Sequence, residues 1–228
     1  MRNFTLGERL KTCASLVREG AVLADVGTDH AYLPIYLLSE GKIERAVLSD
    51  INEGPLLKAK ENVIANGYSE RVSLVLCDGA CALAESGATD YSVCGMGGEL
   101  IASIISSAPH LKDKKIRLIL QPMSKPEALR SFLFDNGFSI LEERYSFDEG
   151  KYYVSILAEY SGEKESYDAF DAHFGKNFPS DDNVRVMTEY MKRRKRALKG
   201  IINGKREGNA DFSEEERLVA ELSERFNI

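Results

Sequence analysis

Three aspartates follow short apolar runs of the sequence, at the points where buried strands are expected to end. Asp25, Asp50 and Asp78 each stand directly after such a run or one residue beyond it. The carboxyl ends of parallel strands meet at one edge of a sheet, and ligands of open α/β folds bind at that edge. The three carboxylates are therefore predicted to line a single cleft, which would favour a ligand that carries positive charge.

The loop after the first run departs from the dinucleotide-binding pattern. That pattern, Gly-x-Gly-x-x-Gly, places a pyrophosphate on a helix N-terminus. Gly27 lets a ligand approach the backbone, but Asp29 and Ala31 stand where an acid-x-Gly-x-Gly-x-Gly pattern would have its second and third glycines. The Asp29 carboxylate would repel a diphosphate and suits S-adenosylmethionine, which carries a sulfonium and an ammonium group. An ordinary strand-to-helix turn of another α/β enzyme is the alternative.

The second and third aspartates extend this interpretation to a nucleoside. Asp50 is the candidate ligand of a ribose, because two vicinal hydroxyls match the two oxygens of a carboxylate. The alternative for Asp50 is an N-cap of the next helix, a role for which Asn52 is better placed. Asp78 occupies the position that commonly faces an adenine amino group in folds of this kind.

A glycine-rich segment follows the fourth apolar run. Gly95, Gly97 and Gly98 leave the backbone free of side-chain bulk at the predicted cleft. This pattern indicates the close approach of a flat or bulky group. A tight turn that needs positive φ angles is the alternative explanation for each single glycine.

The composition describes a globular chain without signs of a membrane or metal role. Its 228 residues are 43% hydrophobic and 29% charged, with a net charge of −6. No apolar run approaches the roughly 20 residues of a membrane span, and the amino terminus lacks the apolar segment of a signal peptide. The four cysteines and three histidines show no metal-ligand spacing. We therefore expect a cytoplasmic protein with no metal site and no membrane partner.

The pattern of apolar runs predicts two structural units. Five strand-like runs alternate with helical patterns, and two β-rich runs then flank a strong hairpin signal at residues 148–151. An antiparallel hairpin that closes a parallel sheet is typical of class I methyltransferases. We predict a Rossmann-like α/β methyltransferase domain with a mostly parallel seven-stranded sheet at residues 1–160. Residues 161–228 are predicted to form a small C-terminal α-helical domain, a coiled-coil-like helical hairpin.

Local signals also predict where helices begin and end. The spacing of Thr5 and Glu8 fits a capping box for the first helix. The helices after the second and fifth strands are expected to begin at Pro55 and Pro126. Gly204 is expected to end the first helix of the C-terminal hairpin.

That helix carries a dense basic stretch within an acidic protein. Residues 184–206 contain nine Lys or Arg and the single acid Glu189. The functional interpretation is a surface that binds the phosphates of a structured RNA; the alternative is a solvated helix whose charges pair with the acidic second helix. The densest part is Lys192, Arg193, Arg194, Lys195 and Arg196.

Four segments together resemble the bacterial TrmK family, whose members are tRNA methyltransferases that modify N1 of the adenine at position 22. The segments are ADVGTDHAYLP at residues 24–34, GMGGELI at 95–101, LILQP at 118–122 and DEGK at 148–151. The resemblance spans nearly the whole chain. It implies S-adenosylmethionine as the cofactor, tRNA as the partner and 1-methyladenosine as the product.

The resemblance also implies which residues hold the cofactor. Four groups of residues would surround the methionine moiety, the ribose, the adenine and the methyl group in turn. They are Asp25, Gly27, Asp29 and His30; Asp50 and Ile51; Asp78 and Gly79; and Gly95, Met96 and Gly97.

Asp29 is the candidate catalytic residue. N1 methylation leaves a cationic adenine, and a carboxylate that accepts a hydrogen bond from the N6 amino group would stabilise the developing charge. N1 lies on the Watson-Crick edge, so the base must leave its stack, and Tyr32 is the candidate to receive it. A structural Asp29 that holds its loop through backbone N–H groups is the alternative. At the level of the whole protein, the alternatives are a methyltransferase for a small molecule or a protein, and a noncatalytic module that binds S-adenosylmethionine or NAD.

Overall fold

A seven-stranded sheet forms the centre of the computed structural model, which describes residues 5–179 and 183–228. The strand order is β3-β2-β1-β4-β5-β7-β6; β1 to β5 are parallel, and β7 is antiparallel to both of its neighbours. The predicted seven-stranded α/β class with a closing hairpin is confirmed. The strands are β1 Ala21–Val26, β2 Ile43–Asp50, β3 Val72–Leu76, β4 Asp90–Gly97, β5 Arg117–Ser124, β6 Phe138–Asp148 and β7 Lys151–Tyr160.

Eight α-helices cover the two faces of the sheet in the described part of the chain. Apolar side chains of α1 to α3 form one core cluster, and those of α4 to α8 form the other. None of these helices combines the length and the apolar character needed to cross a bilayer. The helices are α1 Glu8–Leu16, α2 Tyr32–Ser39, α3 Glu53–Ala65, α4 Gly98–Ser106, α5 Pro126–Asp135, α6 Ala169–Phe174, α7 Asn183–Glu207 and α8 Ser213–Phe226.

Three predicted helix boundaries were wrong. The N-cap of α1 is Gly7 and not Thr5, and the backbone N–H of Arg9 in its first turn donates to Asp148 at 3.1 Å. A side chain from the distant hairpin thus takes the place of a local capping box. Helix α3 begins at Glu53, ahead of Pro55. Helix α7 passes through Gly204 and ends at Glu207, where it still packs against α8.

The C-terminal helices pack directly against the sheet. The side chain of Asn183 bonds both the backbone N–H and the carbonyl of Tyr145 at 2.7 Å, which satisfies polar groups of the edge strand β6. Arg130 of α5 donates to Glu143 of β6 at 2.7 Å and to the carbonyls of Ala172 and His173 of α6 at 3.1 and 3.0 Å. Helices α6 to α8 therefore share a core with the sheet. The domain boundary at residue 160 stays a prediction.

Candidate active site

A cleft of about 630 Å³ lies at the carboxyl ends of β1 to β4. This volume is typical of sites for small molecules and cofactors. Four carboxylates line it against a single Lys or Arg, so its field favours a cation. The charged lining residues are Asp25, Asp29, Asp50, Asp78 and Arg9.

Asp25 lies at the base of the cleft and is 6% exposed. Its carboxylate accepts hydrogen bonds from Thr28 Oγ1 at 2.7 Å and from Ser92 Oγ at 2.5 Å. Burial raises the pKa of the Asp25 carboxyl, and the two hydroxyl donors oppose that shift. Asp25 thus joins the first loop to β4, and this architectural role was not anticipated from the sequence.

Asp29 presents its carboxylate to the solvent side of the same cleft. Its backbone is left-handed, with φ of 49°, and its side chain is 69% exposed. The Nε2 atom of His30 lies 3.6 Å from Asp29 Oδ1. No backbone N–H in the described ranges donates to the Asp29 carboxylate, and Asp25 performs the loop-holding role instead. This geometry gives no support to a purely structural Asp29.

The His30 and Tyr32 rings form a stacked pair at the cleft. Their centroids are 5.1 Å apart with an interplanar angle of 17°. Asn62 of α3 donates to the His30 carbonyl at 3.0 Å, which fixes the loop that carries both rings. Tyr32 is 42% exposed. A partly exposed aromatic side chain therefore lies in the same loop region as Asp29.

The second and third strand ends bring Asp50 and Asp78 to the same cleft. The backbone N–H of Cys77 donates to the Asp50 carbonyl at 3.0 Å, so the two ends are joined. Asp50 Oδ1 accepts the backbone N–H of Asn52 at 2.8 Å, while the Asn52 side chain makes no cap bond to α3. Ile51 is 60% exposed at the mouth. These carboxylates and this apolar side chain could hold a ribose and a flat base.

Glycine is required at Gly95 and at Gly98, near the end of β4, for different physical reasons. Gly95 has φ of +81° and donates its N–H to Gln121 Oε1 at 3.1 Å. A Cβ at Gly98 would lie 2.2 Å from the Lys125 carbonyl oxygen, so the close approach is to backbone and not to a ligand. Gly97 precedes α4 and is not among the lining residues, whereas Met96 is.

Gly27 needs its missing side chain for packing as well as for backbone conformation. Its φ is +73°, and an added Cβ would lie 2.1 Å from the Cε atom of Met96. The first loop and the glycine segment thus meet across the cleft floor. Of the cofactor residues expected from the sequence, all but Gly97 line the cleft.

Two site residues were missed by the sequence analysis. Arg9 lines the cleft and donates from Nη1 to Gln121 Oε1 at 2.7 Å, the same oxygen that Gly95 uses. Gln121 is fully buried. Because its Oε1 accepts both hydrogen bonds, it links α1 to the glycine-rich segment. A polar residue at the end of the apolar run 118–120 was an available signal for Gln121. Arg9 had none, because its partners are far away in the sequence.

The five basic residues at positions 192–196 of α7 do not form one uniform surface. Lys192 pairs with Glu189 at 2.7 Å, and Arg194 pairs with Glu127 of α5 at 2.8 Å. Lys195 donates to the terminal carbonyl of Ile228.

The two remaining residues of that set, Arg193 and Arg196, are exposed. Contacts with the acidic helix α8 come instead from Lys205, which pairs with Glu215, and Arg206, which pairs with Glu216. Within residues 192–196, the proposed phosphate surface therefore reduces to Arg193 and Arg196.

Comparisons with known proteins identify the family of this chain. A family profile described as a methyltransferase domain matches residues 6–156. The tRNA (adenine(22)-N(1))-methyltransferase of Bacillus subtilis is 34% identical over 175 residues, which cover 77% of this chain and 74% of that protein. Within residues 5–179 and 183–228, no group of three or more His, Cys, Asp or Glu residues could hold a metal ion.

Solved structures agree over almost the whole chain. The B. subtilis m1A22 tRNA methyltransferase TrmK has a TM-score of 0.73 at 29% identity and covers 98% of this chain and 96% of its own. A Streptococcus pneumoniae protein solved in complex with S-adenosyl-L-methionine has a TM-score of 0.83 at 31% identity, with 96% and 99% coverage. The similarity therefore includes the C-terminal helices.

Proposed function

This chain belongs to the TrmK family of tRNA (adenine(22)-N1)-methyltransferases, and from that premise we propose that it methylates N1 of adenine 22 in tRNA. The methyl donor is S-adenosylmethionine, and a bacterial cytoplasm is the proposed compartment. The observation that carries the proposal is the cleft itself, which four carboxylates and one arginine line among the described residues. Such a field attracts a cationic donor and repels a pyrophosphate.

The residues of the cleft fit this cofactor. Asp50 would accept the ribose hydroxyls, because only one of its carboxylate oxygens is engaged, by Asn52. Asp78 and Gly79 would face the adenine, with Ile51, Leu100 and Ile104 as apolar neighbours. The loop of residues 25–30 and the segment of residues 95–96 would enclose the methionine end.

The protein's main task is to position the acceptor. When bound, S-adenosylmethionine supplies an electrophilic methyl group. Tyr32 would stack on the unpaired adenine and hold its N1 lone pair toward the cleft floor. Asp29 would accept a hydrogen bond from the N6 amino group as positive charge develops on the ring. The side chain of Asp29 is 69% exposed, which leaves the carboxylate accessible for this role.

Arg193 and Arg196 of α7 would bind phosphates of the tRNA outside the cleft. They are exposed, and neither forms an ion pair within the described residues. Neutralising both should weaken tRNA binding and reduce its salt dependence, since each phosphate contact releases a counterion. Unchanged binding at every salt concentration would support the alternative interpretation, in which α7 is a solvated helix that does not bind RNA.

The decisive experiment is mass spectrometry of a defined tRNA after incubation with the protein and S-adenosylmethionine. A transcript with adenine at position 22 should yield 1-methyladenosine, and the same transcript with guanine there should not. Calorimetry with S-adenosylhomocysteine and with NAD complements this assay, because a dinucleotide-binding module would bind NAD and not S-adenosylhomocysteine. Methylation of metabolites or proteins in place of tRNA would overturn the assignment.

A further inference from the structure

The tip of the β6–β7 hairpin carries an aromatic surface that the cleft does not use. Phe147 is 47% exposed, and its ring lies 4.7 Å from that of its cross-strand partner Tyr152. The Arg193 guanidinium of α7 lies 4.8 Å from the Tyr152 ring centroid. Arg193 has no carboxylate within ion-pair distance in the described parts of the chain. We call Phe147, Tyr152 and Arg193 the hairpin-tip cluster.

The hairpin tip that carries this cluster lies beside the cleft. Arg9 lines the cleft, donates its backbone N–H to Asp148 and places its guanidinium 5.8 Å from the Tyr153 ring centroid. Asp148 and Tyr153 are the chain neighbours of Phe147 and Tyr152. Because side chains alternate along a strand, the cluster occupies the opposite face of the same hairpin tip from Arg9.

The hairpin extends past the paired part of β5 on the cleft side. Leu120 pairs with Ile156 in antiparallel register, so the first residues of β7 lie beyond Leu120 toward the carboxyl edge of the sheet. That is the edge at which the cleft opens. The hairpin tip and the cleft opening therefore lie at the same edge of the sheet.

The chemistry of the cluster fits unpaired nucleotides. Exposed aromatic rings stack on bases of any sequence, and arginine adds attraction to phosphate and to the ring face. An adenine that is withdrawn for N1 methylation leaves its neighbours with one stacking partner fewer. An aromatic surface beside the cleft can replace that partner.

We propose that the hairpin-tip cluster binds an unpaired nucleotide adjacent to the target adenine, with its base on Phe147 or Tyr152 and its phosphate at Arg193. The proposal rests on the proposed function, since it names where that RNA substrate is held. It assigns a substrate-binding role to the hairpin, separate from cofactor binding.

The test compares two variants, F147A and R193Q, in steady-state kinetics with tRNA. Loss of one base stack should raise KM for tRNA roughly 5- to 100-fold in F147A, with kcat little changed. R193Q should raise KM and lower the salt dependence of tRNA binding. The affinity for S-adenosylhomocysteine should match the wild type in both variants.

Two matched controls are available on the same molecule. Leu141 lies on β6 away from the tip and is 44% exposed, so L141A removes an exposed apolar side chain of the same strand. Arg225 lies 4.0 Å from the Phe170 ring centroid, so R225Q removes a cation–ring contact elsewhere. Both should keep the wild-type KM for tRNA.

Wild-type KM in F147A and R193Q, or an equal loss in L141A, would overturn the proposal. Fluorescence anisotropy with labelled tRNA distinguishes a failure of the proposed function from a failure of the hairpin-tip proposal. A wild-type protein that forms no 1-methyladenosine refutes the proposed function. Binding of tRNA that is weakened by F147A would still support the hairpin-tip cluster, and binding that F147A leaves unchanged would refute it.

Discussion

Replacing Arg130 by methionine tests how the C-terminal helices are attached to the sheet. Arg130 and Glu143 form an ion pair whose side chains are both 0% exposed, with 2.7 Å between Nε and Oε1. Arg130 Nη1 also donates to two carbonyls of α6. The substitution R130M leaves a buried carboxylate and two carbonyl groups without their donor.

The expected loss is large for a single substitution. Removing one member of a buried pair costs about 3–5 kcal/mol, and each carbonyl loses a hydrogen bond worth about 1 kcal/mol. Protonation of Glu143 and the apolar methionine stem offset part of this. We expect the free energy of unfolding to fall by about 4 kcal/mol at pH 7.

The sign of the pH dependence follows from Glu143. Burial raises the pKa of its carboxyl, and Arg130 opposes that shift. Without Arg130 the pKa rises further, so stability is retained below the ordinary glutamate pKa and is lost as pH rises through the raised value. The deficit of R130M should therefore be smaller at pH 5 than at pH 7.

Urea unfolding followed by circular dichroism measures both quantities. The control is R117M, because the pair of Arg117 with Glu159 is partly exposed and should cost at most about 1 kcal/mol. The double variant R130M/E143L should recover most of the loss. A deficit of R130M equal to that of R117M, with no change between the two pH values, would refute this account of the buried pair.

Further outcomes are expected at the cleft and around it. Asp29→Asn keeps a residue that tolerates positive φ and should lower kcat, measured at saturating S-adenosylmethionine, roughly 10- to 100-fold, the value of one charge-assisted hydrogen bond; near-normal kcat would reject the catalytic role. Gly98→Ala should cost about 1–3 kcal/mol by overpacking against the Lys125 carbonyl, whereas Gly54→Ala, which meets open space at the start of α3, should unfold at the wild-type urea concentration. The raised pKa of Asp25 means that its stabilising contribution is present below its ordinary pKa and declines as pH rises through the raised value. The stability difference between wild type and Asp25→Asn should shrink from pH 4 to pH 7, and a constant difference would contradict this.

The sequence by itself determined the sheet and the location of the cleft. Apolar runs and their acidic ends depend only on neighbouring residues, so Asp50 and Asp78 could be placed at strand ends before the fold was known. The turn at residues 148–151 likewise encodes its own hairpin, with Glu149 and Gly150 at positive φ. These features predicted the methyltransferase class, and all of the predicted cofactor residues but Gly97 line the cleft.

Only the tertiary structure decided which side chains of that cleft are buried and which distant residues contact each other there. Asp25 and Asp29 are the same residue type only four positions apart in the sequence. In the structure Asp25 is buried and accepts hydrogen bonds from Ser92 and Thr28, whereas Asp29 faces solvent. Arg9 meets Gln121 across 112 residues of chain. Periodicity and turn chemistry report contacts between near neighbours, whereas burial and long-range hydrogen bonds arise only when distant segments pack together.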